Sequence, residues 1–168
     1  MIASTCWSCA QGTPGRLRQV SALNPNLSGR VFPATTYLVG REKIREFARG
    51  IRATHPLHHD VAAAQAAGYA DVVAPTTFTT VLQQTAVTQL VETPDTGVDP
   101  IRVVHGSEKI EQRRPIVGGV DLVTTLTIAD VIERGGNAIL ATHCEIRDSS
   151  DELVATVKST LLVRGCAA

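Results

Sequence analysis

Three observations predict an α+β domain in which one long buried helix lies against a curved antiparallel sheet of about five strands. Apolar residues follow a helical period between residues 41 and 92, and they switch to a twofold period from about Ile101. Turn signals then cut the twofold region into runs of hairpin length. The simplest packing sets the longest helix against the sheet.

Residues 1–27 hold Gly, Pro, Ser, Asn and isolated apolar residues without a period. They read as an extension with little fixed structure, or one partly docked, which leaves residues 28–168 as a single domain. Residues 31–39 read as an extended segment entering a first strand, interrupted by Gly40. In the helix Arg41 to Ile51, residues Ile44, Phe47, Ala48 and Ile51 recur at i, i+3, i+4 and i+7, so one apolar stripe faces inward. A loop with three of the five histidines follows, His55, His58 and His59 around Pro56. Asp60 suits the N-cap of a short helix over 61–67, and Gly68 suits the residue beyond its end. Val72 to Pro75 returns the chain to the interior. The long helix runs from Thr76 to about Glu92, with Phe78, Val81, Leu82, Ala86, Leu90 and Val91 on its period. Its many Thr and Val are weak helix formers, so it needs tertiary packing and is expected to be buried. Beyond it, Leu140, Thr142, Cys144 and Ile146 share one strand face, and Leu153, Ala155, Val157, Ser159, Leu161 and Val163 repeat the pattern.

A chain of 168 residues, 43% hydrophobic, builds one ordinary core. Sixteen basic and sixteen acidic side chains cancel, which argues against nucleic acid or an anionic membrane as partner. No apolar run approaches the roughly 20 residues that span a bilayer, and the first residues lack the pattern of a signal peptide, so a cytoplasmic protein is expected. Cys6 and Cys9 form a C-x-x-C, but no second ligand pair accompanies it and Gly-Pro-rich sequence follows it. Neither a metal nor another cofactor is expected. Cys144 reads as a small buried strand residue.

Imidazoles on a stiff loop before a buried helix suit proton transfer, although a solvated loop carries histidines equally well. The blocks Val39 to Ala48, His55-Pro56, Ala66 to Tyr69, Val73 to Phe78, Val103 to Gly106 and Arg114 to Val117 occur in an order that resembles the MaoC-type dehydratase N-terminal domain family. More narrowly, they resemble the A- and C-type subunits of actinobacterial (3R)-hydroxyacyl-ACP dehydratases, over about residues 29–164. The resemblance implies a hotdog fold, a helix wrapped by the sheet. It also implies association with a second hotdog unit as homodimer or heterodimer, and an acyl thioester of acyl carrier protein or coenzyme A as substrate in fatty-acid-type metabolism.

In complete hydratases of that superfamily the loop reads roughly G-D-x-N-P-L/I-H, with Asp and His as the catalytic dyad. Pro56 and Leu57 match, His58 takes the catalytic histidine position, His55 replaces the asparagine, and Ala53 stands where the aspartate belongs. Gly118-Gly119-Val120-Asp121 departs from the usual A-G-D and reads as a structural turn. The implied lyase chemistry assigns His58 to proton transfer and the backbone N–H groups near Thr76 and Thr77 to the thioester oxygen. Losing one positioned acid/base group costs about 10²- to 10⁴-fold. His55 or His59 stands in, or a partner carries the complete dyad and this chain is a non-catalytic acyl-binding subunit. His105 opens the next strand toward the same cleft, and His143 falls on the polar strand face. A hotdog thioesterase ranks third, since Gln83, Gln84 and Glu92 read as exposed helix positions.

Overall fold

The computed structural model describes residues 23–165. A five-stranded antiparallel sheet wraps the long helix, as expected. The strands are β1 (Thr35–Leu38), β2 (Val103–Gln112), β3 (Asp121–Arg134), β4 (Asn137–Asp148) and β5 (Leu153–Val163), ordered β1-β3-β4-β5-β2 across the sheet. The helices are α1 (Arg41–Gly50), α2 (Val61–Ala66) and α3 (Thr79–Glu92), and a 3-10 turn at Thr76–Phe78 leads into α3. No helix among the described residues is long and apolar enough to cross a membrane.

The inner sheet face is the predicted one. Leu140, Thr142, Cys144 and Ile146 of β4 are buried, and Ala155, Val157, Ser159, Leu161 and Val163 of β5 join them. Register shifts between Ile128 and Asp130 and between Ile146 and Arg147 break the ladders, and such bulges bend a sheet around its contents. Those contents are α3, which buries Thr79, Leu82, Gln83, Ala86 and Leu90 along one stripe. Its threonines return their hydroxyls to carbonyls one turn back, Thr80 to Thr77 at 2.8 Å and Thr88 to Gln84 at 2.9 Å. The polar side chains are thereby satisfied without breaking the helix. Packing against the sheet supplies what helix propensity does not.

Two expectations change. Ile51, placed on the buried stripe of α1, is 48% exposed; it caps the helix, where the turn has begun to open, and only Ile44 and Ala48 are fully buried there. Of the extension over residues 1–27, expected to have little fixed structure or to be partly docked, residues 23–27 are docked. Leu23 and Leu27 are buried, Asn24 N–H donates to the Thr96 carbonyl at 3.0 Å, and the Asn24 side chain donates to the Asp95 carbonyl at 2.9 Å. Residues 23–27 therefore belong to the folded unit, and the rest of the extension, with Cys6 and Cys9, lies outside the described residues.

The Gly118-Gly119 turn is structural, as read. Gly119 has φ +87°, and a Cβ on Gly118 would come within 3.2 Å of the Asp71 carboxyl carbon. Cys144 is buried, and burial, reinforced by the nearby charge of Glu108, pushes its thiol up to about 12. A thiol held so far above its ordinary value has almost no thiolate at neutral pH. In native protein at pH 8, Cys144 is expected to resist alkylation until denaturant is added, as read by peptide mass spectrometry. Labelling at the rate of a free thiol would contradict its burial.

Candidate active site

The histidine loop is a 3-10 turn, Pro56–His58, entered from His55. Pro56 fits its first position because that residue's missing N–H has no partner in any case. The His55 ring caps the turn, its Nδ1 accepting from Leu57 N–H at 3.3 Å. The three rings gather, with centroids 6.1 Å apart for His55 and His58 and 6.4 Å for His58 and His59.

His58 is half-buried, and its Nδ1 lies 2.7 Å from the Val73 carbonyl oxygen. A carbonyl only accepts, so Nδ1 carries the proton in the neutral ring and Nε2 is left as a free base. Val73 is itself fixed on both sides. Its N–H donates to the Leu57 carbonyl at 2.8 Å, and it bridges Val117 in an isolated antiparallel pair. Thr76 lies three residues further on, exposed like Thr77, where the chain turns into α3. The first N–H groups of such a turn have no carbonyl behind them within the helix. Thus the loop, through Val73, ties the His58 ring close in sequence to the expected donors.

Ala53, at the aspartate position, offers no side-chain acid. His59 Nε2 instead donates to the Ala53 carbonyl at 2.7 Å, and Arg45 Nε donates to the His59 carbonyl at 2.8 Å. Asp60, the nearest carboxylate in sequence, is the N-cap of α2, accepting from Ala62 N–H at 2.7 Å and Ala63 N–H at 3.4 Å. Among the described residues, no carboxylate of this chain lies within ion-pairing distance of His58, and no cluster of His, Cys, Asp and Glu is arranged to hold a metal ion.

His105 is placed elsewhere. It sits on β2 with Nε2 3.3 Å from Glu108 Oε2, in a cleft between β2 and α3 that none of the loop histidines lines. Gln83, read as an exposed helix position, is buried at 6% exposure, and its amide donates to the Ser159 hydroxyl. Gln84 and Glu92 are exposed, as read. Glu108 was missed. An isolated Gly106 within a strand pattern is the bulge signal that points to it.

A model of the FAS1-like dehydratase domain region matches residues 26–157. The chain belongs to that family. The "UPF0336 protein" of Clavibacter michiganensis is 55% identical over 144 residues, which cover 85% of this chain and 97% of the relative. Among solved structures, the C-terminally truncated HadBC (3R-hydroxyacyl-ACP dehydratase) complex from Mycobacterium tuberculosis is 30% identical with a TM-score of 0.74, covering 83% of this chain and 99% of that one. A MaoC-like dehydratase is 33% identical at the same TM-score, covering 83% of this chain and 42% of that one. The sheet wrapped round α3 is the hotdog fold of these dehydratase-region proteins.

One carboxylate in the site region does structural work. Asp71 takes a forked contact from Arg41, 2.9 Å from Nε and 2.6 Å from Nη2, and accepts from Val72 N–H at 2.6 Å. These hydrogen bonds, the guanidinium's first, hold its carboxyl below the ordinary carboxylate range. A depressed carboxylate stabilises the fold above its unfolded pKa and loses that contribution as pH falls through its folded value. The stability gap between wild type and Asp71→Asn, from urea midpoints, is therefore expected to be constant above about pH 5 and to close below about pH 4. A gap unchanged into strong acid would contradict the pairing.

Proposed function

We propose that the chain is one subunit of a (3R)-hydroxyacyl thioester dehydratase, or enoyl hydratase, working in the cytoplasm with a second hotdog chain that supplies the aspartate and histidine of the dyad. The observation that carries this reading is the environment of His58. Its ring has one nitrogen committed to the Val73 carbonyl, and among the described residues nothing bonds the other and no carboxylate lies beside it.

Dehydration removes the α-proton, expels the 3-hydroxyl as water and leaves an enoyl thioester. With one free nitrogen, the His58 ring would have to take the α-proton and then deliver it to the leaving oxygen, with nothing to orient that oxygen. Absence of a positioned second group costs about 10²- to 10⁴-fold. Developing charge on the thioester oxygen would be met by the N–H groups of Thr76 and Thr77 and the positive end of α3. These features equip the chain to hold an acyl thioester better than to turn it over.

One surface and one relative support a partner. Strand β2 is a ten-residue edge with unpaired backbone groups, and an edge of that length is a template for another chain. Val104 on it and Ile101 beside it are 39% and 90% exposed. The solved relative at 30% identity is itself named as a two-component complex.

The purified chain is expected to hydrate a trans-2-dodecenoyl thioester at no more than about one hundredth of the rate shown when it is co-expressed with a dyad-bearing hotdog chain. His58→Ala in this chain should leave the rate of the mixture within about tenfold, whereas removing the partner's dyad should abolish it. Full turnover by the chain alone, lost in His58→Ala, would instead establish a self-sufficient hydro-lyase.

A further inference from the structure

The cleft between α3 and β2 has a volume of about 510 Å³ and two chemically different ends. Val87 and Val91 line it toward the C-terminal end of α3, Gln83 and Glu108 line it toward the other, and Leu161 lies beside His105, its partner in the β2–β5 register.

Strict strand alternation would put His105 and Glu108 on opposite faces of β2, since they are three residues apart. The register prevents this. His105 pairs with Leu161 and Ser107 with Thr160, so Gly106 is an extra residue and the alternation inverts across it. Glu108 then sits opposite Ser159, and both it and His105 face α3. Gly106 fits because its α-carbon passes close to β5, where a Cβ would lie 3.2 Å from the Thr160 carbonyl oxygen.

The Glu108 side chain is 18% exposed. Its Oε2 takes both available partners, the His105 ring at 3.3 Å and the Ser159 hydroxyl at 3.4 Å, and Ser159 in turn accepts from Gln83. Among the described residues, Oε1 accepts no hydrogen bond and no Lys or Arg lines the cleft. A half-buried carboxylate with lone pairs to spare on Oε1, at the edge of an apolar groove, offers an acceptor to a donor brought by a ligand. From Thr77 to Gln83 the chain rises about 9 Å along the helix axis. A thioester seated at the Thr76 and Thr77 amides would therefore present the middle of its acyl chain to Glu108, well beyond the 3-position.

We propose that this cleft binds an acyl chain bearing a hydroxyl group near its middle, and that Glu108 selects for that hydroxyl through its unserved oxygen. The inference rests on the proposed function only for the thioester at the head of the ligand. The test is calorimetric titration of the full chain, alone and with its partner, using dodecanoyl-CoA and the same thioester carrying a mid-chain hydroxyl. A hydrogen bond to a charged acceptor corresponds to about tenfold or more tighter binding of the hydroxylated chain to the wild type. Glu108→Leu should erase the preference, Glu108→Gln, which keeps an acceptor, should retain part of it, and Val91→Trp should weaken both ligands by filling the apolar end. Thermal melts confirm that each variant folds. Equal affinity in the wild type, a preference surviving in Glu108→Leu, or no binding of either ligand would overturn the proposal. Hydration assays fail separately: a mixture without turnover leaves the binding comparison standing, and equal binding leaves the hydration reading untouched.

Discussion

Three residues of extended chain, Val72 to Ala74, hold this domain's two halves and its candidate site together. The Val72 carbonyl accepts from Gly118 N–H at 3.0 Å, and Ala74 N–H donates to the Ile116 carbonyl at 2.8 Å. Both contacts anchor one side of the segment to the turn before β3. The other side belongs to Val73, whose N–H and carbonyl both bond back to the histidine turn, to Leu57 and to the His58 ring. Alternation of hydrogen-bonding direction along an extended chain makes this double attachment possible. Pro75 follows, keeping Ala74 extended and ending the segment where α3 begins. The Arg41–Asp71 fork sits at the start of the segment and joins it to the first turn of α1, while Phe47 packs edge-on against Phe78 at 5.4 Å from the other end of α1.

This frame keeps its shape without the carboxylate that complete hydratases place on the loop. The groups left around Ala53 are occupied by backbone contacts: His59 closes the loop on the Ala53 carbonyl, Arg45 holds the His59 carbonyl, and Asp60 caps α2. Each of these neutral or charge-assisted bonds contributes about 1 kcal/mol or somewhat more. Together they tie the loop to α1 and α2 through backbone groups. On the proposed reading, this chain keeps the fold of the family and leaves part of the chemistry to another subunit.

Much of this was legible in the sequence because it is local. The alternation in β4, the stripe of α3 and the Asp60 cap each depend on residues a few positions apart. Leu23 and Leu27 were not legible, since they anchor a turn instead of lining a periodic element. Gln83 looked like an exposed helix position because its partner, Ser159, is 76 residues away. The pairing of His105 with Glu108 runs against simple alternation, and only the register of β2 on β5 reveals the extra residue at Gly106. The tether from His58 to Val73 spans 15 residues and joins a side chain to a backbone atom, a contact that no periodicity encodes.

The account depends most on which nitrogen of His58 carries the proton. Long-range proton–nitrogen correlation spectra of the ring, recorded where it is neutral, test this directly. The Val73 carbonyl requires a single tautomer with Nδ1 protonated and Nε2 bare. A ring protonated at Nε2, or one averaging between both forms as free imidazole does, would contradict the account, because two acceptors would then face each other and the tether from His58 to the Val73 carbonyl would not exist.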